Sequence, residues 1–326
     1  MSPLVVLILA VLATTYAGPI VRLAAAPALA IAFWRLTLVL PVTGGLAVWE
    51  EQGARSSEHG ASDRSALLRA PFSVPLMVLS GLLLAAHFWT WIASLRFTTV
   101  ASSVVLVSLK PIFVWALAAV WLHEHPSRRE AWGIGIAVVG ATLIGIGDAR
   151  LSLGALGGDA LALAGALTAA GYYVIGRRVR ATVGVWTYAT IVYAVAAVAL
   201  AAVALARAVP LTGFAGRDWA VFGALAAGPM LVGHTGMNYA LKHYRATTVN
   251  VAGLGEPVGA TLIAWLGLHE VPGVLALIGA AVVVVGIGLT LGSADFGLRI
   301  ADSRGGSSIR NPQSTIRNGE GGPRVG

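Results

Sequence analysis

Two stretches decide the fold: KPIFVWALAAVWLHEHPSRREAWGIGIAVVGATL at 110–143 and EPVGATLIAWLGLHEVPGVLALIGAAVVVVGIGL at 256–289. At an offset of 146 residues, Lys110-Pro111 falls on Glu256-Pro257 and Leu122-His123-Glu124 on Leu268-His269-Glu270. Pro126 then falls on Pro272, Gly133 on Gly279, Val138-Val139-Gly140 on Val284-Val285-Gly286 and Leu143 on Leu289. Upstream, Leu95-Arg96 falls on Leu241-Lys242 without a gap. Apolar segments align by accident easily, because they use few residue types. A Pro, His-Glu, Pro, Gly series in one register is harder to obtain by chance. The chain therefore reads as a duplication, with halves 1–147 and 148–293 and a tail at 294–326.

The medium in which the halves fold follows from composition. Hydrophobic residues make up 57 % of the 326 and charged residues 11 %, with a mean hydropathy of +0.81. A soluble domain carries roughly 25 % charge, so a water-soluble enzyme and a disordered chain are both excluded. There is no cysteine, which removes disulfides, zinc-thiolate sites and iron–sulfur clusters. A bilayer core takes about 20 apolar residues in a helix. Ten such segments are present: 4–22, 28–48, 72–95, 100–121, 130–147, 157–176, 184–206, 218–240, 246–267 and 272–292. The first lacks Lys and Arg before it, unlike a signal peptide, and is expected to remain as a membrane helix. The expected fold is an all-α integral membrane protein of ten transmembrane helices. Five helices per half is an odd number, so the second repeat enters from the opposite side and the two are inverted. Inverted repeats about an axis in the membrane plane are typical of secondary transporters.

Lys and Arg in the loops set the orientation. With the N-terminus in the cytoplasm, the inside loops hold Arg55, Arg64, Arg69, Arg128, Arg129, Arg177, Arg178, Arg180, Lys242 and Arg245. The outside loops hold Arg22, Arg96, Arg150, Arg207 and Arg217. The tail adds Arg299, Arg304, Arg310, Arg317 and Arg324 inside. The expected location is the cytoplasmic (inner) membrane, multi-pass, with both termini cytoplasmic. This asymmetry largely absorbs the net charge of +8, so no nucleic-acid partner is expected. The tail, Gly/Ser/Asn-rich with Ile-Arg-Asn at 309–311 and 316–318, reads as disordered.

Phe33-Trp34-Arg35, Ser108-Leu109-Lys110-Pro111-Ile112-Phe113, Leu122-His123-Glu124 and the Glu256-Pro257 to Leu268-His269-Glu270 stretch resemble the EamA-type branch of the drug/metabolite transporter superfamily. The Gly-rich fifth and tenth segments match as well, and the resemblance covers about residues 4–292. The family usually has Gly-Glu where this chain twice has His-Glu. The resemblance implies export or exchange of small metabolites through a cavity between the halves, with the fifth and tenth helices at the periphery.

Charges inside a membrane cost ~2.5–3.5 kcal/mol each on insertion scales and mark function. Arg35, Lys110 and Glu256 lie inside expected spans. Lys110 and Glu256 are repeat-equivalent, each before a proline that frees a backbone carbonyl one turn earlier. They are candidates for substrate binding or for proton coupling through Glu256. The alternatives are an ion pair that only joins the halves, or snorkelling to an interface. Arg35 has no symmetry mate; it either binds an anionic group or bonds backbone carbonyls. His87 and His234 are one residue off register and either titrate or bond across to a neighbouring helix. Trp91, Tyr16, Tyr172, Asn238 and Asn250 complete the candidate substrate-binding set, each with the alternative of satisfying a neighbour. His123-Glu124-His125 lacks the spacing of a zinc site; Glu124 and Glu270 are expected to bond polar groups at helix ends. No metal and no cofactor are expected. Gly288 and Gly292 form a GxxxG pair, read as packing within the protomer with a homodimer as the second use.

Three functions compete. The first is a secondary transporter that exports a small polar or amphipathic metabolite by alternating access, its partners being substrate and membrane lipids. No Walker-type nucleotide loop is present. The second is an intramembrane lipid-modifying enzyme, for which no Asp pair or HExxH is found. The third is a structural or receptor-like membrane protein, which has no need of an inverted repeat.

Overall fold

The computed structural model describes residues 1–56, 73–98, 103, 106–148, 156–268 and 273–305. Its regular elements are helices: α1 (Pro3–Thr14), α2 (Ala17–Arg22), α3 (Ala28–Thr37), α4 (Leu40–Ser56), α5 (Ser73–Phe97), α6 (Lys110–Trp121), α7 (Arg128–Asp148), α8 (Leu156–Val179), α9 (Val185–Ala206), α10 (Gly216–Leu225), a π-helix (Ala226–His234), α11 (Thr235–Ala240), α12 (Ala246–Ala252), α13 (Gly255–Leu268) and α14 (Val274–Gly305). Seven stretches among the described residues are long and apolar enough to cross a membrane: Pro3–Arg22, Ala28–Gly53, Ser73–Phe97, Leu156–Val179, Val185–Ala206, Gly216–Ala240 and Val274–Gly292. The fourth expected span is represented by the shorter apolar α6, the fifth by α7, and the ninth is divided between α12 and α13. The outward surface is apolar, with Trp49, Val120, Trp132 and Val198 all exposed. In water such a surface would aggregate; against lipid it is the solvated state.

Prolines decide where the helices break. A proline has no N–H and its ring meets the carbonyl four residues back. Pro19, Pro41, Pro111, Pro229 and Pro257 point to residues 15, 37, 107, 225 and 253. The breaks occur there: α1 gives way to α2 around Thr15, α3 ends at Thr37, a turn at Ser108–Leu109 precedes α6, α10 ends at Leu225, and α12 stops before Gly253. After Leu225 the backbone winds through a π-helix containing Pro229 before the α-helix resumes at Thr235. At the first break Thr14 and Thr15 fold back, their hydroxyls donating to Val11 O (2.8 Å) and Leu12 O (2.7 Å).

Glycines decide how the last helix of each half packs. A β-carbon on Gly133 would lie 2.8 Å from Gly286 O, and one on Gly140 would lie 2.7 Å from Gly279 O. The reverse also holds: a β-carbon on Gly286 would meet Gly133 O at 2.7 Å, and one on Gly279 would meet Gly140 O at 2.6 Å. α7 and α14 therefore touch backbone to backbone. Gly288 has nothing near it, and Gly292 faces Arg129. The seam within the protomer is thus Gly279 and Gly286, not the expected Gly288–Gly292 pair.

Carboxylates close the helix ends. Ser127 and Glu130 form a capping box at α7: Glu130 Oε2 accepts from Ser127 N (2.6 Å) and Ser127 Oγ from Glu130 N (3.2 Å). Glu50 reaches from α4 to the start of α9 and accepts from the backbone of Val185, Trp186 and Thr187 at 3.1–3.2 Å, where the helix dipole favours an anion. Asp218 accepts from Ala25 N (2.8 Å) and Ala26 N (3.2 Å). α14 continues in its backbone to Gly305, past the expected tail boundary at 293. The tail beyond Gly305, Glu270 and residues 57–72 lie outside the described residues.

Candidate functional site

Four of the five proline breaks meet at one cavity of about 110 Å³. The α1–α2 junction contributes Thr14, Thr15, Gly18 and Pro19, and the turn before α6 contributes Val107, Ser108 and Lys110. The π-helix contributes Pro229 and His234, and the α12–α13 break Gly253, Leu254, Glu256 and Pro257. Unbroken helices supply the rest: Arg35 from α3, His87, Phe88 and Trp91 from α5, and Tyr173 from α8. Irregular backbone at membrane depth is tolerated where it lines a cavity, and broken helices there present free backbone groups to a ligand.

Three charged side chains face this space. Arg35 is 1 % exposed, and its Nε and Nη1 have no hydrogen-bond partner. Its guanidinium carbon lies 4.1 Å from the Phe88 ring centroid, a cation–π arrangement. Lys110 Nζ lies 5.3 Å from the Tyr173 ring centroid. Glu256 is the anion that lines the same cavity as Arg35 and Lys110. Neither Lys110 nor Glu256 has an ion-pair partner within 4.0 Å among the described residues. The ion pair given above as an alternative is thus not formed, and its two members stand on the walls of one cavity.

Aromatic and imidazole rings form the remaining wall. His87 and His234 face each other with ring centroids 6.4 Å apart. His87 stacks on Trp91 at 6.3 Å, and Phe88 meets His234 edge-on at 5.0 Å. His87 Nδ1 is bonded across to Gly165 O on α8 at 2.9 Å, the cross-helix role set against titration above. Tyr173 OH lies 3.0 Å from Met237 Sδ and 3.5 Å from His234 Nδ1.

Next to Tyr173 and toward the C-terminal end of α8, buried side chains bond one another across the helices. Tyr172 OH and the Asn238 amide bond to each other, and both are fully buried. Ser80 Oγ and Tyr188 OH lie 2.6 Å apart, and Tyr193 OH lies 3.0 Å from Thr235 Oγ1. Further on, Arg180 donates to Asn238 O (3.0 Å) and to Val183 O. Arg177 pairs with Glu124 at 2.9 Å and also donates to Leu241 O at 2.6 Å. Arg245 pairs with Glu130 at 2.9 Å. Burial and the charges of Lys242, Arg180 and Arg177 push His243, at the same end, below the usual histidine range.

Of the ten candidate residues, Arg35, His87, Trp91, Lys110, His234 and Glu256 line the cavity. Tyr172 and Asn238 lie in the hydrogen-bonded layer beside it. Tyr16 packs its hydroxyl against Gly228 of the π-helix. Asn250 donates to Ala246 O (2.8 Å), and its buried Oδ1 has no partner. Phe88, Tyr173, Thr14, Thr15 and Ser108 also line the cavity and were not among the ten. The signal for Thr15 and Pro229 was the proline four residues on, or the proline itself. No comparable signal marks Phe88 or Tyr173.

Comparison with known proteins places this geometry in a context. A solved crystal structure, described only as that of a protein, shares the fold at a TM-score of 0.72 and 18 % identity, over 90 % of this chain and 99 % of its own. No curated protein matches the chain in sequence. The model of the EamA-like transporter family matches twice, over residues 1–146 and 156–292. These two matches span nearly all of the helices described above, and the chain belongs to the EamA-like transporter family.

Proposed function

We propose that the protein is a secondary transporter that moves a small polar or amphipathic metabolite out of the cell by alternating access. The observation that carries this reading is the cavity itself. Three charges with no ion-pair partner among the described residues, the buried Arg35 and the half-buried Lys110 and Glu256, line a cavity built from broken helices of both halves. Buried charges without partners are destabilising and are retained where a ligand completes them. Ten spans in two inverted halves are part of the proposal. The seam supports it: with an offset of 146, Gly133 matches Gly279 and Gly140 matches Gly286, and the contacts are Gly133 with Gly286 and Gly140 with Gly279. Residue i touching j′ while j touches i′ is the pattern a two-fold axis makes. The facing of His87 and His234 supports it too. Exchanging the conformations of two similar halves gives a second packing of similar energy that opens to the other side.

Glu256 is the group proposed to couple transport to protons. Its carboxylate is the anion that lines the cavity together with both cations, so its protonation changes the charge of the site by one. The test is solute flux in proteoliposomes. Lys110→Met and Glu256→Gln should each lower flux at least tenfold. Glu256→Gln should also lose its response to a pH gradient while keeping some exchange. Wild-type flux and pH response in both variants would remove these charges from the mechanism. Absence of flux for every solute tried, with turnover of a lipid substrate, would favour the intramembrane enzyme.

A further inference from the structure

Resting on the transporter reading, we infer that the cavity takes a small organic monoanion with an apolar ring-sized body, its carboxylate seated on the free N–H edge of Arg35. Three independent observations converge on it. The first is the orphaned guanidinium. Arg35 is buried, two of its nitrogens donate to nothing, and it lines the cavity. Phe88 covers one face at 4.1 Å, which leaves the N–H edge as the place for hydrogen bonds. A guanidinium edge fits a carboxylate with two parallel bonds.

The second observation is the charge count. Arg35 and Lys110 bring two positive charges to the cavity and Glu256 one negative, so the empty site carries one net positive charge. A carboxylate makes it neutral. A phosphate monoester, at about −1.5 to −2 near pH 7, would leave it negative in a low-dielectric interior. A zwitterion would leave the extra positive charge uncompensated. The third is the wall. Phe88, Trp91, Tyr173 and His234 line the cavity, with Phe88 against Arg35 and edge-on to His234, and such rings favour an apolar flat body. Thr14 and Thr15 spend their hydroxyls on their own helix, so that side does not ask for a polyhydroxylated ligand.

The experiment uses the full chain in detergent, with benzoate as the probe and benzamide, benzylamine, phenyl phosphate and phenylalanine as comparisons. A ligand that binds only the native state raises Tm. Saturating benzoate should raise Tm by about 5 °C, and benzamide, which has the same shape without the charge, should do so much less. Arg35→Lys keeps the charge and loses the fork, and should weaken benzoate binding by about 10-fold or more. Arg35→Gln should abolish it. If Arg35→Gln does not fold, Arg35→Lys and the benzoate–benzamide pair on the wild type carry the test. Equal stabilisation by benzamide, tighter binding of phenyl phosphate or phenylalanine, or unchanged benzoate affinity in Arg35→Lys would each overturn the inference. The transporter reading fails by a different result: benzoate binds as described, yet labelled benzoate is neither taken up nor exchanged by proteoliposomes.

Discussion

His123 adopts φ 55° although it carries a β-carbon. It follows the last turn of α6, where Leu122 N and Glu124 N both donate to Ala118 O, at 2.9 and 3.2 Å. The left-handed conformation lets the chain turn so that the next side chain, Glu124, reaches Arg177. A non-glycine residue costs roughly 1–2 kcal/mol in that conformation, and a helix end of this kind usually carries glycine. The imidazole is exposed and does not line the cavity described above. His123→Gly should therefore stabilise the protein. Relief of strain outweighs the extra freedom of glycine in the unfolded chain, which takes back ~0.4–1 kcal/mol. A Tm higher by about 2 °C in detergent is the expected outcome; a lower Tm would show that the imidazole makes a contact worth more than its strain. At this scale the sequence was informative: the resemblance drawn above implies Gly-Glu where this chain has His-Glu, which marks the residue, and the structure supplies the reason.

At the scale of the element, the α7–α14 seam depends on the absence of side chains at four positions. A methyl on Gly140 would meet backbone atoms, Val283 N at 2.6 Å and Gly279 O at 2.7 Å, and backbone cannot move aside as a side chain can. Gly140→Ala should cost ~1–3 kcal/mol, the range for overpacking a tight interface. Gly135, on the same helix with nothing within 4 Å, is the control. Gly135→Ala should be neutral or stabilising, since alanine is favoured over glycine in a helix interior by about 1 kcal/mol. Thermal unfolding of the two variants side by side decides it, and equal Tm values would show that α7 and α14 do not touch in the membrane. Much of the element-scale structure was legible. The repeat aligned the seam glycines, although the GxxxG spacing pointed to the wrong pair, and prolines marked the five breaks given above among the described residues. What could not be read was which face of each helix turns inward. α5 is apolar all round, so no stripe separates His87 from its neighbours. Successive residues point about 100° apart, which is why Tyr173 faces the cavity while Tyr172 bonds Asn238, and Thr15 faces it while Tyr16 packs on Gly228. Arg35, Lys110 and Glu256 were legible because charge in a membrane has few other uses.

For the whole molecule, the ion pairs Arg177–Glu124 and Arg245–Glu130 join the second half to the first at one end. In the alternating-access cycle proposed above they would hold that end closed, with the cavity beyond the Tyr172–Asn238 layer. Each pair is partly exposed and contributes on the order of 1 kcal/mol, so removing both should change the ratio of the two states by about 30-fold. Because the chain has no cysteine, Ser108→Cys places a single thiol on the cavity wall without further engineering. A membrane-impermeant maleimide should label it from one side only. In the Arg177→Gln, Arg245→Gln background, labelling from the opposite side should appear. Labelling that stays one-sided would show that the buried hydrogen-bonded layer alone sets the closure. With Glu256 ionised, the two cations and one anion of the cavity would also give the proposed cycle an electrical character. An empty site of charge +1 that changes sides moves through the transmembrane potential, and crossing all of it would be worth about 2.3 kcal/mol per 100 mV. The same site filled by a monoanion is neutral and feels no such pull. In a cell that is negative inside, voltage would then draw the unloaded carrier back to face the cytoplasm and leave the loaded one free to turn outward, so that the resting potential gives the cycle its direction.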